Sequence, residues 1–301
     1  MDKAHTLTDK KLMEMEKKLH GIYGRAKKEV GESWKKYIAE SSEKISALQA
    51  AYDAAKKTGD KNEIRSAGIA LGKAKKEVTM LDGHYRRLTE SLSMDISTVN
   101  GRAIAYTNGK LADIYALNYN HIAERIESTV SGYSFELVDA ATIRNLATKE
   151  KTLLPYKRID GAKDVRWNVQ RVNSEVLQGI LQGEPMDKIA SRLSNVLDMN
   201  ETSAIRNART SVTSAENKGR MDMIHEAAEK GIVVHKVWMA ANDSRTREAH
   251  AELDGEEVAE EEYFVNSIGE ILYPGDPDAE PENTYNCRCS LGYKIIEINR
   301  R

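Results

Sequence analysis

No proline occurs in the first 154 residues of this 301-residue chain. Proline removes a backbone donor and its ring clashes with the preceding helical turn, so a segment without it is free to form long uninterrupted helices. The five prolines are Pro155 and Pro185, then Pro274, Pro277 and Pro281 close together. The chain therefore divides into a long stretch suited to continuous helix and a C-terminal stretch that must turn repeatedly. Charged residues make up 31% and hydrophobic residues 40%. That balance suits elongated helices with narrow apolar stripes better than a thick globular core.

Periodicity supports this reading. From Leu7 to about Ala55, Leu12, Met15, Leu19, Ile22, Ala26 and Val30 step by three and four, one face of a helix. Thr58 to Asn62 is a turn signal. A second run through Ile64, Leu71, Ala74, Leu81, Leu88 and Leu92 predicts a helix folding back on the first as an antiparallel hairpin. A third helix is expected from Thr98 to Val130, closed by Gly132. Further helices are expected over Asp139 to Lys149 and Asp164 to Leu181, the latter ended by Gly183. Pro185 then opens another helix, and Asn200 or Thr202 caps a longer one reaching Lys230. Tyr115, Tyr119 and His121 read as packing residues of a helix. Arg206, Arg209, Thr210, Asn217 and Arg220 read either as a solvated face or, for Arg209 and Asn217, as a brace for the C-terminal module. The fold class is mainly α with a C-terminal α+β module, divided as a long-helix region 1–131, a helical middle 132–231 and a compact module 232–301.

Several classes are disfavoured. The net charge of −2 gives no strong overall attraction to nucleic acid or acidic membranes. No apolar run approaches the ~18 residues of a membrane span, and the N-terminus lacks the apolar core of a signal peptide. Two cysteines one residue apart are poor material for a disulfide framework and fit a reduced compartment, as free thiols or metal ligands.

After Gly231 the pattern changes. Ile232 to Met239 is β-branched and alternating, a strand. Residues 263–265, 271–273 and 291–298 are the other strand candidates. Asp243 is placed to cap a short helix from Ser244 to Leu253, with Arg247 and His250 on one face. Asp254-Gly255 is a hairpin-type turn, and the prolines with Asp276 predict a stiff extended loop up to Asn286. Three readings of this end stay open. His250, Cys287 and Cys289 form a zinc-type ligand set, with His235 or Asp254 as a fourth ligand. Asp243, Arg245, Arg247 and Arg288 form a charge-assisted network that locks the loops. Or His250 and a cysteine form a nucleophile–base pair. The acidic excess between Glu248 and Glu282 disfavours this end as a DNA-binding surface.

The pattern W…D-x-R-T-R-x-x-H-x-x-L-D-G…F…Y-P-G-D-P…N-C-R-C resembles the Mu F-like minor head proteins of tailed bacteriophages. Here it is carried by Trp238, Asp243, Arg245, Thr246, Arg247, His250, Leu253, Asp254, Gly255, Phe264, Pro274, Gly275, Asp276, Pro277, Asn286, Cys287, Arg288 and Cys289, with Ala208-Arg209-Thr210 on the approach. The resemblance spans roughly Ala190 to Leu291. It implies a minor capsid or head morphogenesis protein, present in few copies in the virion, assembled in the bacterial host cytoplasm and acting in head assembly, DNA packaging or DNA delivery. The implied partner is the portal protein, with the major capsid or scaffolding protein and phage DNA as further candidates, and no membrane. Some relatives carry an ADP-ribosyltransferase or toxin domain after this module. None follows Cys289 here, so a non-enzymatic role is expected, with zinc as the candidate cofactor. The rival readings are a metal-dependent nuclease or hydrolase using His250 and Asp243, and a DNA-binding protein ejected with the genome through its Lys-rich N-terminal helices.

Overall fold

The computed structural model describes residues 2–79, 83–155, 161–182 and 184–299. Leu81 and Gly183, and the side chain of Leu88, lie outside the described residues. Among the described residues six helices, α1 (Lys3–Thr58), α2 (Lys61–Thr79), α3 (Gly83–Thr129), α4 (Ala140–Lys149), α5 (Gly161–Leu181) and α6 (Met186–Glu229), precede a small mixed region. There β1 (Ile232–Met239), α7 (Glu248–Ala251), β2 (Glu257–Ala259), β3 (Phe264–Val265), β4 (Glu270–Ile271), α8 (Pro281–Thr284) and β5 (Ser290–Ile298) follow. The mainly helical class with a mixed C-terminal module is as the sequence predicts. No described helix is long and apolar enough to cross a membrane. Between Leu12 and Tyr37 of α1 the buried positions are Leu12, Met15, Leu19, Tyr23, Ala26, Val30, Trp34 and Tyr37, a 3–4 spaced seam in which Tyr23 takes the place expected of Ile22.

Three boundaries differ from expectation. The helix expected to start near Thr98 already runs from Gly83 as α3. α6 is continuous through Asn200 and Thr202. Neither residue caps it: Asn200 Nδ2 donates to Val196 O at 2.8 Å and Thr202 Oγ1 to Asp198 O at 2.9 Å, bonds made inside a helix. The helix expected over residues 244–253 shrinks to α7, because Asp243 closes a local turn instead, accepting from the Arg245 N–H at 2.9 Å.

Contacts divide the chain into two compact units. One comprises His20–Arg102 and Ile159–Thr202. It is threaded by a chain of amides. Tyr23 Oη donates to Asn100 Oδ1 (2.6 Å), Asn100 Nδ2 to Asn200 Oδ1 (2.6 Å), Asn200 Nδ2 to Asn168 Oδ1 (3.2 Å) and Asn168 Nδ2 to Ser97 Oγ (3.0 Å). Each polar group here has a partner, and a buried polar ladder of this kind fixes which helix positions face each other.

The other unit comprises Met1–Leu19, Ala103–Arg158 and Ser203–Arg301. Its core joins Leu111, Ile114, Ile122 and Ile126 of α3 to Val212, Met223 and Ile224 of α6 and to Trp238, Phe264, Ile271 and Leu291 of the mixed region. The strands form an antiparallel sheet in the order β2-β1-β5, with Trp238 opposite Leu291, and a separate β3-β4 pair with Phe264 opposite Ile271. α3 and α6 cross closely at Gly219, where an added Cβ would lie 2.5 Å from Tyr115 O. Tyr115 and Tyr119 pack here as expected, and Tyr115 Oη donates to Asp222 Oδ2 at 2.6 Å.

One face of α6 holds the segment after Asn286. Thr210, Thr213, Asn217 and Arg220 are spaced by three and four, so they line one side of the helix. Asn286 N–H donates to Thr210 Oγ1 at 3.1 Å, and Thr213 Oγ1 donates to Cys287 O at 2.6 Å. Asn217 Nδ2 donates to Cys289 O (3.1 Å) and Pro274 O (2.9 Å), while its Oδ1 accepts from Leu291 N–H (2.8 Å). Arg220 Nη1 donates to Leu291 O at 3.0 Å. The brace expected of Asn217 is present. Arg209 does not share in it: its guanidinium pairs with Glu16 of α1 at 2.6 Å. On the buried face of β1 that also carries Trp238, Lys236 donates through Nζ to Glu262 O (2.6 Å) and Leu272 O (3.0 Å). Burial pushes its pKa down to about 8, against the opposing pull of Glu260, Asp276 and Glu262.

Asn217→Ala strands three backbone groups in a buried site, each worth about 1–3 kcal/mol unpaired. We expect a loss of about 3 kcal/mol or more in chemical denaturation, against less than about 0.5 kcal/mol for exposed Arg245→Ala. Gly219→Ala should cost about 1–3 kcal/mol by forcing α3 and α6 apart. Lys236 gives a pH signature. Its folded pKa lies below the unfolded value of 10.5, so the folded state sheds its proton first and the cost of the buried ammonium is relieved as pH rises above about 8. Stability measured from pH 8 to 10 should therefore rise more in the native chain than in Lys236→Met.

Candidate functional site

The site gathers around Trp238, fully buried on β1, whose ring meets His250 and Phe264 edge-on, each at a centroid distance of 5.3 Å. β1 alternates buried and half-buried positions, which puts Trp238 toward the core and His235 on the opposite face. Beneath the tryptophan, α7 delivers His250 and the segment before β5 delivers Cys287 and Cys289. Both cysteines are buried, with half-buried Arg288 between them. In an extended segment residues i and i+2 share a side, so C-x-C presents both thiols to the same point.

The imidazole lies between the thiols and an amide. His250 Nδ1 is 3.7 Å from Cys287 Sγ and 3.7 Å from Cys289 Sγ. His250 Nε2 is 3.2 Å from Asn283 Oδ1. The two asparagines bond to each other, Asn266 Nδ2 donating to Asn283 Oδ1 at 3.0 Å and Asn283 Nδ2 donating to Asn266 Oδ1 at 3.4 Å. Asn283 Oδ1 is thereby an acceptor, so His250 carries its proton on Nε2 and turns the Nδ1 lone pair to the sulfurs. The Cys289 thiol is pulled down to about 5 by the hydrogen bond from Cys287, against burial and with help from His250. The Cys287 thiol is pushed up by that same hydrogen bond and by burial. The cysteines are free.

The two residues expected to supply a fourth ligand lie elsewhere. His235 is on the far face of β1. Asp254 accepts from Ala240 N–H at 2.8 Å and from Asn242 Nδ2 at 2.7 Å, closing the loop that begins at Ala240. Gly255 completes that turn with φ +81° and donates its N–H to Trp238 O at 2.8 Å. Among the described residues the His250, Cys287 and Cys289 donor atoms form a cluster within 4.8 Å of one another, and no other cluster of this kind is present.

The charged network forms a rim. Asp243 pairs with Arg288, Nη2 donating to Oδ1 at 2.5 Å, and this pairing holds the carboxyl well below the usual range. Arg247 donates to Tyr285 O. Arg245 contributes its backbone N–H, its side chain being exposed. Asp276 is buried and acts as a turn-former, accepting from Leu272 N–H (3.1 Å) and Asp278 N–H (3.0 Å). Burial raises its pKa. Thr284 Oγ1 donates to Asp276 O at 2.8 Å, so part of the loop expected to be extended winds into α8. Asn286, at φ +56°, redirects the chain into the C-x-C segment. Sequence reasoning missed Asn283, Thr213 and Lys236. Only Thr213 carried a signal, its 3–4 spacing with Thr210, Asn217 and Arg220.

Asp243 and His250 have different partners: the first sits on Arg288 at the rim, the second on Asn283 under Trp238. His250 is 1% exposed.

Comparison with known proteins points to the same residues. Residues 170–292 match the model of the phage Mu protein F like family. The chain is 27% identical over 210 residues to the minor head protein GP7 of Bacillus phage SPP1, covering 69% of this chain and 66% of that protein. It is 31% identical over 121 residues to the NAD(+)–arginine ADP-ribosyltransferase EFV of Enterococcus faecalis, covering 40% of this chain and 25% of that enzyme. No solved structure matches the chain. The matched residues 170–292 hold the tryptophan, the histidine and both cysteines of the site, so it is this part of the chain that is similar to the phage Mu protein F like family.

Proposed function

We propose that this chain is a minor component of a tailed-phage head, built into the virion in few copies, attached at the portal and acting in head assembly, DNA packaging or DNA delivery. One observation carries the reading. The likeness to the SPP1 minor head protein runs over 210 residues, more than the family segment 170–292 contains, so it extends beyond the shared module. The match to the ADP-ribosyltransferase is no longer than the module itself and covers 25% of that enzyme.

The geometry supports a structural role. A nuclease or hydrolase built on His250 and Asp243 needs both groups at one substrate, whereas here they have separate partners and His250 lies beneath Trp238. A rigid module braced on a long helix is suited to present a fixed surface to an oligomer, while the amphipathic helices offer apolar faces of the kind that dock in grooves. The major capsid or scaffolding protein and the packaged DNA are the further partners this role would bring.

Native mass spectrometry of the full chain mixed with a tailed-phage portal oligomer tests the reading. The expected result is a discrete complex with few copies per portal ring. Absence of a complex at micromolar concentrations, together with purified heads that lack the chain, would overturn it.

A further inference from the structure

We propose that His250 Nδ1, Cys287 Sγ and Cys289 Sγ bind one thiophilic divalent cation of the zinc class, which ties α7 to the entry of β5. The spacing fits. A tetrahedral zinc with sulfur at ~2.3 Å and nitrogen at ~2.0–2.1 Å has nitrogen–sulfur edges of about 3.6 Å. Both Nδ1–Sγ distances here are 3.7 Å, so the donors already stand where a bound ion would hold them.

A hydrogen-bonded chain from Cys287 through Cys289 to the imidazole would not require both sulfurs to stand equally close to Nδ1. Two thiols converge on one Nδ1 lone pair, which accepts one S–H well. A cation uses all three donors at once. The support around the ring is also that of a metal ligand: Asn283 Oδ1 takes the Nε2 proton, and Asn266 in turn fixes the asparagine. The Cys289 N–H is directed at Cys287 Sγ, 3.4 Å away, a bond that favours a thiolate. Charge closes as well. Two thiolates offset the divalent ion and the imidazole is neutral, so a trio that is 1–2% exposed holds no uncompensated charge. Three protein donors leave one position for a non-protein donor such as water.

The ion would give the module a cross-link that the backbone bonds from α6 do not supply. They hold the C-x-C segment from one side, whereas His250 reaches it from α7.

The full chain, purified without chelators, should carry one zinc-class ion per chain by elemental analysis. Exchange for cobalt should produce a thiolate-to-metal charge-transfer band. Replacing Cys287 and Cys289 together by Ser should abolish the band, and Asn283→Ala, which removes a positioning residue and no ligand, should weaken metal affinity about 10–100-fold. Chelation should lower the Tm of the native chain. If a cysteine variant fails to fold, metal content and chelator response of the native chain decide. A folded native chain that takes up well under one equivalent from added zinc, with a Tm indifferent to chelator, overturns the proposal and leaves the trio a hydrogen-bonded cluster.

Discussion

The C-terminal unit depends on a buried arginine. Arg220 is fully buried, and taking a guanidinium out of water costs several kcal/mol unless partners replace the solvent. Asp2, just before α1, and residues of α3, α6 and β5 supply them. Asp2 lies at 2.7 Å, Glu216 at 3.2 Å, Asn118 Oδ1 of α3 at 3.0 Å and the Leu291 carbonyl of β5 at 3.0 Å. Burial alone would raise the Asp2 carboxyl, yet Arg220 holds it well below the usual range. His5 completes the cluster, bonding Glu216 through Nδ1 at 2.8 Å. Burial alone would lower its pKa, yet Glu216 raises it. The first turn of α1, the middle of α3, α6 and β5 therefore share one charge cluster. Loss of any member strands the others in a dry environment, where an unpaired charge is most costly.

The same face of α6 solves a second problem. The chain from Asn286 to Leu291 leaves a turn and enters an edge strand, and its buried N–H and C=O groups need partners on the side away from β1. α6 cannot offer backbone groups, which are used within the helix. It offers side chains: a threonine, a second threonine, an asparagine and an arginine at successive helical turns. Hydrophobic packing could hold the segment against the helix, but it would not fix its register. These directional bonds do.

How much of this was legible in the sequence depends on the physics of each part. Long helices were readable because proline is absent and apolar residues recur at three and four. Their ends were less so. Asn200 carries the chemistry of a cap, yet it serves inside α6 because Asn100 and Asn168 give its amide buried partners. β2 and α8 span three and four residues, too few to set a period. In the site, His250, Cys287 and Cys289 were identifiable by type, since few residues ligate metals and the chain has two cysteines. The partner that orients the histidine was not. Asn283 looks like any loop asparagine until the fold brings it against the ring. Arg209 was misplaced for the converse reason: it shares a helix with the bracing residues, but its turn of α6 faces Glu16.

Two kinds of restraint therefore meet on one short segment. From one side α6 grips the backbone of residues 286–291, and these bonds do not depend on which side chains the segment carries. From the other, His250 meets the cysteines, and this contact depends on their identity. A scaffold needing only a folded strand could dispense with the second. Its presence places a specific chemical requirement on the segment from α8 to the start of β5, where Asn283, Asn286, Cys287 and Cys289 stand within seven residues. The rim pairs Asp243–Arg288 and Arg247–Tyr285 close over the same loop at the surface. Exposed pairs of that kind add little stability individually. Their contribution is to keep the loop in register so that the buried donors converge. The thiol–imidazole trio thus depends on two supports, the α6 face anchored at Arg220 on the inside and the rim at the surface.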